Sequence, residues 1–173
     1  MSGQIRTIEI YTDGATSPNP GPGGYAVILV DNATRIELSG GFRMTTNNRM
    51  ELLAVISGLR AAADRGRPIA VYSDSRYVVD MINGGYAQRW RANGWMRDRR
   101  QHAENPDLWG DLLDLCAGLD VEFSWIRGHD DHVENERCDE LAVAARQLDN
   151  LPPDSAYEKA IEIAPRQGEF EWE

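Results

Sequence analysis

Residues 5–12 alternate apolar and polar positions as Ile-Arg-Thr-Ile-Glu-Ile-Tyr-Thr, with Ile8 and Ile10 on one face and Thr7, Glu9 and Tyr11 on the other. A period of two rich in β-branched residues predicts a strand, ended by Asp13-Gly14. Ser17-Pro18-Asn19-Pro20-Gly21-Pro22-Gly23-Gly24 reads as a turn-rich loop that holds neither helix nor strand. Residues 25–30 predict a second strand, Asp31-Asn32 a turn, and residues 35–38 the start of a third. So short a turn makes the pair an antiparallel hairpin. The period then lengthens. Leu52, Val55, Ile56 and Leu59 form a stripe at helical spacing, capped by Thr46 or Asn47 and running to about Arg65 before Gly66. Residues 68–72 predict a fourth strand, apolar on both faces at Ile69-Ala70-Val71, as at the centre of a sheet. A short helix over 76–82 stops at Gly84-Gly85, a longer one over 107–119 is entered through Asn105-Pro106, a fifth strand spans 121–126, and a final helix covers 134–148 after a loop at 128–133.

Three strands in succession followed by alternating helices and strands predict an α/β domain: a five-stranded mixed sheet, an antiparallel meander plus parallel strands, flanked by helices. The domain fills residues 1–150, and Leu151-Pro152-Pro153 opens an acidic tail over 151–173. Binding sites in such sheets gather at the carboxyl ends of the parallel strands. No run of about 18 apolar residues is present and the first residues lack the apolar core of a signal peptide, so no membrane is expected and the cytoplasm is the expected compartment. Cys116 and Cys138 lack the spacing of a disulfide framework or a zinc site and read as buried reduced thiols.

Charge complicates this picture. Of 173 residues, 28 are acidic and 18 basic, a formal net charge of −10, which taken alone argues against a polyanionic partner. Yet 17 of the basic residues are arginine, and they are not spread evenly. Residues 86–103 carry Arg89, Arg91, Arg97, Arg99 and Arg100 against Asp98 alone, together with Trp90 and Trp95. Over a Debye length of about 8 Å a polyanion feels its local surface, so this patch of net +4 keeps nucleic acid open as a partner.

The acidic residues suggest chemistry. Asp13 ends the first strand and Asp74 the fourth; if those strands are parallel neighbours, both carboxylates stand at one rim. Glu51, in the first turn of a helix, and Asp139, near the start of the last, can reach the same rim. Two carboxylates about 4 Å apart repel by roughly 4 kcal/mol at an effective dielectric of 20, so such a cluster calls for cations. Oxygen ligands select Mg²⁺, Mn²⁺ or Ca²⁺ over Zn²⁺. Each acid also has an ordinary reading: Asp13-Gly14 as turn, Glu51 as a favourable first-turn charge, Asp74-Ser75 as helix cap.

Together Thr12-Asp13-Gly14, Asn19-Pro20-Gly21-Pro22-Gly23-Gly24-Tyr25, Thr45-Thr46-Asn47-Asn48-Arg49-Met50-Glu51-Leu52, Ser73-Asp74-Ser75, Gly94-Trp95, Gly128-His129 and Glu134-Asn135-Glu136-Arg137-Cys138-Asp139-Glu140-Leu141-Ala142 resemble bacterial ribonuclease HI, in order from about Thr7 to Arg146. The resemblance implies a ribonuclease H-like fold and a monomeric endonuclease that cuts the RNA strand of an RNA–DNA hybrid, leaving 5′-phosphate and 3′-hydroxyl ends. By position, Asp13, Glu51, Asp74 and Asp139 match carboxylates that hold two Mg²⁺, for which Mn²⁺ can substitute, and His129 matches a loop histidine that transfers a proton or aids product release. Asn19, Asn47 and Asn48 match residues that contact the RNA strand, with Arg76 standing beside them where the family commonly has an uncharged residue. Thr46 and Asn105 match a DNA-phosphate pocket, although Met44 stands where a basic residue is frequent and Arg43 is one place earlier. Residues 86–103 resemble a basic protrusion that grips DNA with Trp90, Trp95, Arg97, Arg99 and Arg100. Asp130-Asp131 depart from the usual small neutral residues, and their charges favour protonated His129. A junction resolvase or integrase, a non-catalytic hybrid binder and a small acidic metal-binding protein are the competing readings.

Overall fold

The computed structural model describes residues 6–128 and 132–163. Ile8 and Ile10 lie fully buried along the inner face of β1 (Ile8–Thr16), the third strand of a five-stranded sheet ordered β3-β2-β1-β4-β5. β1 pairs antiparallel with β2 (Gly21–Asp31), which pairs antiparallel with β3 (Thr34–Thr45). On its other side β1 runs parallel to β4 (Ile69–Ser73), and β4 parallel to β5 (Val121–Trp125). The expected mixed sheet is present.

Helices cover both faces because the central strands are apolar on both. Val27 and Leu29 face the main core with Leu52, Val55, Ile56 and Leu59 of α1 (Asn47–Ala62), joined by α2 (Arg76–Asn83), α3 (Tyr86–Ala92) and α4 (Pro106–Ala117). Ala26 and Ile28 face the opposite way, against Cys138 and Ala142 of α5 (Val133–Arg146). Cys138 is buried and Cys116 half-buried, both as free thiols. Among the described residues no helix is long and apolar enough to cross a membrane.

Two local expectations are corrected. β1 does not stop at Asp13-Gly14 but pairs on to Thr16, opposite Gly23. The glycine-rich stretch is a loop only as far as Pro20, since β2 begins at Gly21. Those glycines serve close packing rather than turning: a β-carbon at Gly24 would lie 2.1 Å from the Ala142 carbonyl oxygen, so α5 rests directly on the β2 backbone. Within the arginine-rich segment, α3 buries Trp90 edge-on to Trp109 with ring centroids 6.1 Å apart.

The segment beyond Leu151 holds α6 (Ser155–Ile163), tied to the domain by Asp154. This buried carboxylate accepts from Arg49 Nε (2.7 Å), from Thr45 Oγ1 (2.7 Å) and from the Tyr157 amide that opens α6 (3.3 Å). Arg43 donates to both oxygens of Glu158 at 2.8 and 2.7 Å, tying β3 to α6.

Candidate active site

The parallel pairing of β1 with β4 brings the carboxyl ends of the two strands level, Thr12 opposite Ser73. Asp13 and Asp74 follow those residues and share one rim. Glu51 reaches the same rim because α1 crosses close over β1: a β-carbon on Gly14 would lie 2.6 Å from the Glu51 amide nitrogen, so only glycine admits that approach. Each of Asp13, Glu51 and Asp74 offers an oxygen, and these oxygens lie within 4.8 Å of one another. Asp139, in the second turn of α5, stands outside that spacing, yet its charge is felt at Asp13.

Burial and mutual repulsion govern this group. Burial raises the Asp13 carboxyl to about 7, with the charges of Asp74 and Asp139 adding to the effect and the Gly14 amide, donating at 2.9 Å, opposing it. Glu51 is raised well above the ordinary carboxylate range, again by burial first and then by Asp13 and Asp74. Its Oε2 is buried with no hydrogen-bond partner. A buried orphan acceptor among like charges is unfavourable by itself and is satisfied by a hard cation. The donor set, all carboxylate oxygen, fits a divalent metal of the Mg²⁺ class.

Two neighbours that sequence reasoning missed shape Asp74. A β-carbon at Gly128 would lie 2.7 Å from Asp74 Oδ2, so residue 128 sits against the carboxylate, and Trp125 Nε1 donates to the Asp74 carbonyl oxygen at 2.9 Å. His129 lies outside the described residues, as do Asp130 and Asp131.

Around this centre the remaining candidates fall into groups. The Asn19 side chain accepts from the Asn47 amide (3.1 Å), binding the loop at 17–20 to the start of α1, where Asn47 and Asn48 are half-buried. Thr46 caps α1 by accepting from the Arg49 amide. Thr46 and Asn105 line one cleft of about 970 Å³ together with Arg49, His102 and Tyr157. The Asn105 amide is engaged there, accepting from Arg49 (3.3 Å) and donating to Tyr77 Oη (3.2 Å). The arginines near that cleft are already paired: Arg49 is bound by Asp107 and Asp154, and Arg43 is held by Glu158.

The arginines of the protrusion divide. Arg89 stacks on Tyr86 within α3, and Arg91 pairs with Asp114 of α4 at 2.7 Å. Arg97, Arg99 and Arg100 are exposed on a turn that Asp98 fastens by accepting from the amides of Arg100 and Gln101 at 2.8 and 2.9 Å. Trp95 is half-buried beside that turn, while Trp90 is 8% exposed and belongs to the core, so Trp95 has the more surface to offer a ligand.

The RNase H family model matches residues 6–147. The ribonuclease H of Trichodesmium erythraeum is 56% identical over 158 residues, 91% of this chain and 100% of that protein. Ribonuclease HI of Synechocystis is 49% identical over 85% of this chain and 92% of its own length. Among solved structures, LC9-RNase H1, a type 1 RNase H with the type 2 active-site motif, superposes with a TM-score of 0.70 at 31% identity, over 83% of this chain and 74% of that one. RNase H1 from the halophilic archaeon Halobacterium salinarum superposes with a TM-score of 0.61 at 28% identity, over 81% and 97%.

Proposed function

Because this chain belongs to the ribonuclease H family and is therefore a hydrolytic nuclease, we propose that it cuts the RNA strand of RNA–DNA hybrids at internal positions, acting as a cytoplasmic monomer. The observation that carries the chemistry is the group of Asp13, Glu51 and Asp74 at one sheet rim, with a buried, unpartnered Glu51 oxygen. These three and Asp139 would hold two Mg²⁺, or Mn²⁺ in their place. Bound there, divalent cations supply activation of a water and neutralisation of the leaving oxygen in an in-line displacement.

The protein's own part is placement. Glu51 and Asp13 are buried and fixed by the crossing of α1 over Gly14, and Asp74 is set by Gly128 and Trp125. Hydrolysis breaks the P–O3′ bond, leaving a 5′-phosphate on one fragment and a 3′-hydroxyl on the other. His129 carries a proton to or from the reacting oxygens, imidazole being the side chain suited to proton exchange near neutral pH. Asn19, Asn47 and Asn48 read the 2′-hydroxyls that mark RNA. Thr46 and Asn105 seat a DNA phosphate. Trp95 packs at the deoxyribose side with Trp90 buried behind it, and Arg97, Arg99 and Arg100 bridge DNA phosphates.

The test uses end-labelled RNA–DNA hybrid beside matched double-stranded DNA and double-stranded RNA, with Mg²⁺ and with EDTA. The expected result is cleavage of the hybrid alone, in the RNA strand alone, with Mg²⁺ alone. Cutting of duplex DNA supports a resolvase or integrase instead, and binding without cutting supports a non-catalytic binder. In the same assay, removing Arg97, Arg99 and Arg100 together raises KM and flattens its salt dependence, by about 0.7–0.9 in log–log slope for each phosphate that is no longer bridged. An unchanged slope removes the protrusion from the interface.

A further inference from the structure

Trp125, the last residue of β5, touches both the end of β4 and the start of α2. Its indole N–H donates to the Asp74 carbonyl oxygen (2.9 Å), and the face of the same ring lies under the Arg76 guanidinium, whose central carbon is 3.7 Å from the ring centroid. The strand register sets Trp125 opposite Ser73, the residue just before Asp74, and its ring reaches from the Asp74 carbonyl to Arg76. One rigid aromatic therefore ties the backbone of Asp74, a residue of the candidate metal site, to a cation two residues on.

The Arg76 side chain is 62% exposed, and its other partner is Asp80, 3.7 Å away in an exposed i,i+4 pair of the kind that adds little. The stack is thus not consumed in a buried ion pair, as Arg49 is. A guanidinium lying flat on a ring keeps its in-plane N–H donors turned outward, and that fork matches two oxygens of a phosphate. An arginine already held on a surface has given up the rotamer freedom that a loose one surrenders on binding. The strand nearest the carboxylates is the one to be cut, so a fixed cation two residues from Asp74 meets that strand.

Resting on the hybrid-cleaving reading above, we infer that Arg76 grips a phosphate of the RNA strand and that Trp125 is the positioning residue that holds it there. The experiment compares Arg76→Ala, Trp125→Leu, Trp125→Phe and the Arg76→Ala/Trp125→Leu double variant on one hybrid over a series of salt concentrations. Arg76→Ala raises KM about 5- to 10-fold with kcat within about 2-fold, and lowers the salt slope of log KM by about 0.7–0.9, as expected when one phosphate is no longer neutralised. Trp125→Leu, with Arg76 intact, gives most of that rise, and the double variant exceeds neither single one by much, because both act on the same phosphate. Trp125→Phe keeps a ring face without the N–H and retains most of the affinity.

To locate that phosphate, single uncharged methylphosphonates, protected by 2′-O-methyl, are walked along the RNA strand away from the cut. One position raises KM for the unsubstituted enzyme and leaves KM of Arg76→Ala unchanged. The inference is overturned by an unchanged KM and salt slope in Arg76→Ala, by multiplying effects in the double variant, by a loss in Trp125→Phe as large as in Trp125→Leu, or by a matching position on the DNA strand instead. Arg76 is exposed, so its variant keeps the fold, and melting curves verify the Trp125 variants. If the unsubstituted enzyme leaves the hybrid intact, it is the underlying reading that fails.

Discussion

Asp13→Asn keeps the fold and loses hybrid cleavage by about 10³-fold or more, a loss on the order of 4 kcal/mol of transition-state stabilisation. The side chain hardly changes size, and its neighbour Gly14 still permits the approach of α1. What goes is one of the charges that the proposed cation site relies on. The same substitution makes the metal-free protein more stable at neutral pH. The sign follows from the direction of the shift: the folded protein holds the Asp13 proton up to about pH 7, whereas an unfolded chain releases it near 3.8. Between those values the folded state binds more protons, so stability of the metal-free enzyme falls as pH rises from about 4 to about 7. Asparagine removes that slope and relieves repulsion among the remaining acids, worth on the order of 1 kcal/mol or more, roughly 2–4 °C in melting temperature. Melting in EDTA at pH 5 and pH 7.5 checks the slope, and a time course in Mg²⁺ checks activity. Near-normal rates in saturating Mg²⁺ would remove Asp13 from the metal site.

The second large effect is structural. Asp154→Ala lowers stability by about 3–5 kcal/mol, the range for breaking a buried pair and leaving one charge behind. Arg49 is 5% exposed and spends Nε and one terminal nitrogen on Asp154, which also holds Thr45 and caps α6. Its remaining partners, Asp107 and Asn105, lie toward the cleft. The melting temperature drops by about 6–20 °C for a chain of this size, α6 becomes sensitive to protease, and KM for the hybrid rises more than kcat falls. A variant that melts within a degree or two of the parent shows that Arg49 finds its balance elsewhere.

These two residues mark how far sequence reasoning reaches. Asp13 was legible: a period-two strand ending in an acid, with a second strand end at Asp74, is a local signal that topology then completes. Asp154 was not. It is one acid among several in a segment without periodicity, and its partner lies 105 positions away. β2 was half-legible for a related reason. Glycine marks both turns and close backbone approach, and only the helix lying on Gly24 decides between them. What the arginines around α3 masked is its burial of Ala87 and Trp90. The roles of Gly128 and Trp125 at Asp74 depend on the side-by-side register of β4 and β5, which composition does not carry.

The register of β1 against β4 has a consequence in time as well as in space. Ile8 pairs with Ile69 and Thr12 with Ser73, across an intervening hairpin, helix and turn. Loop closure over so many residues comes before any reward from the pairing, which slows folding relative to local pairings. On the ribosome the N-terminal meander emerges first, with β1 unpaired on the edge that β4 will take. The rim carrying Asp13 and Asp74 cannot exist until β4 docks there, and the charge of Asp139 arrives only with α5. The nascent chain therefore holds scattered acids and no cation-binding centre until most of it has been made, so nuclease chemistry is born together with the finished sheet.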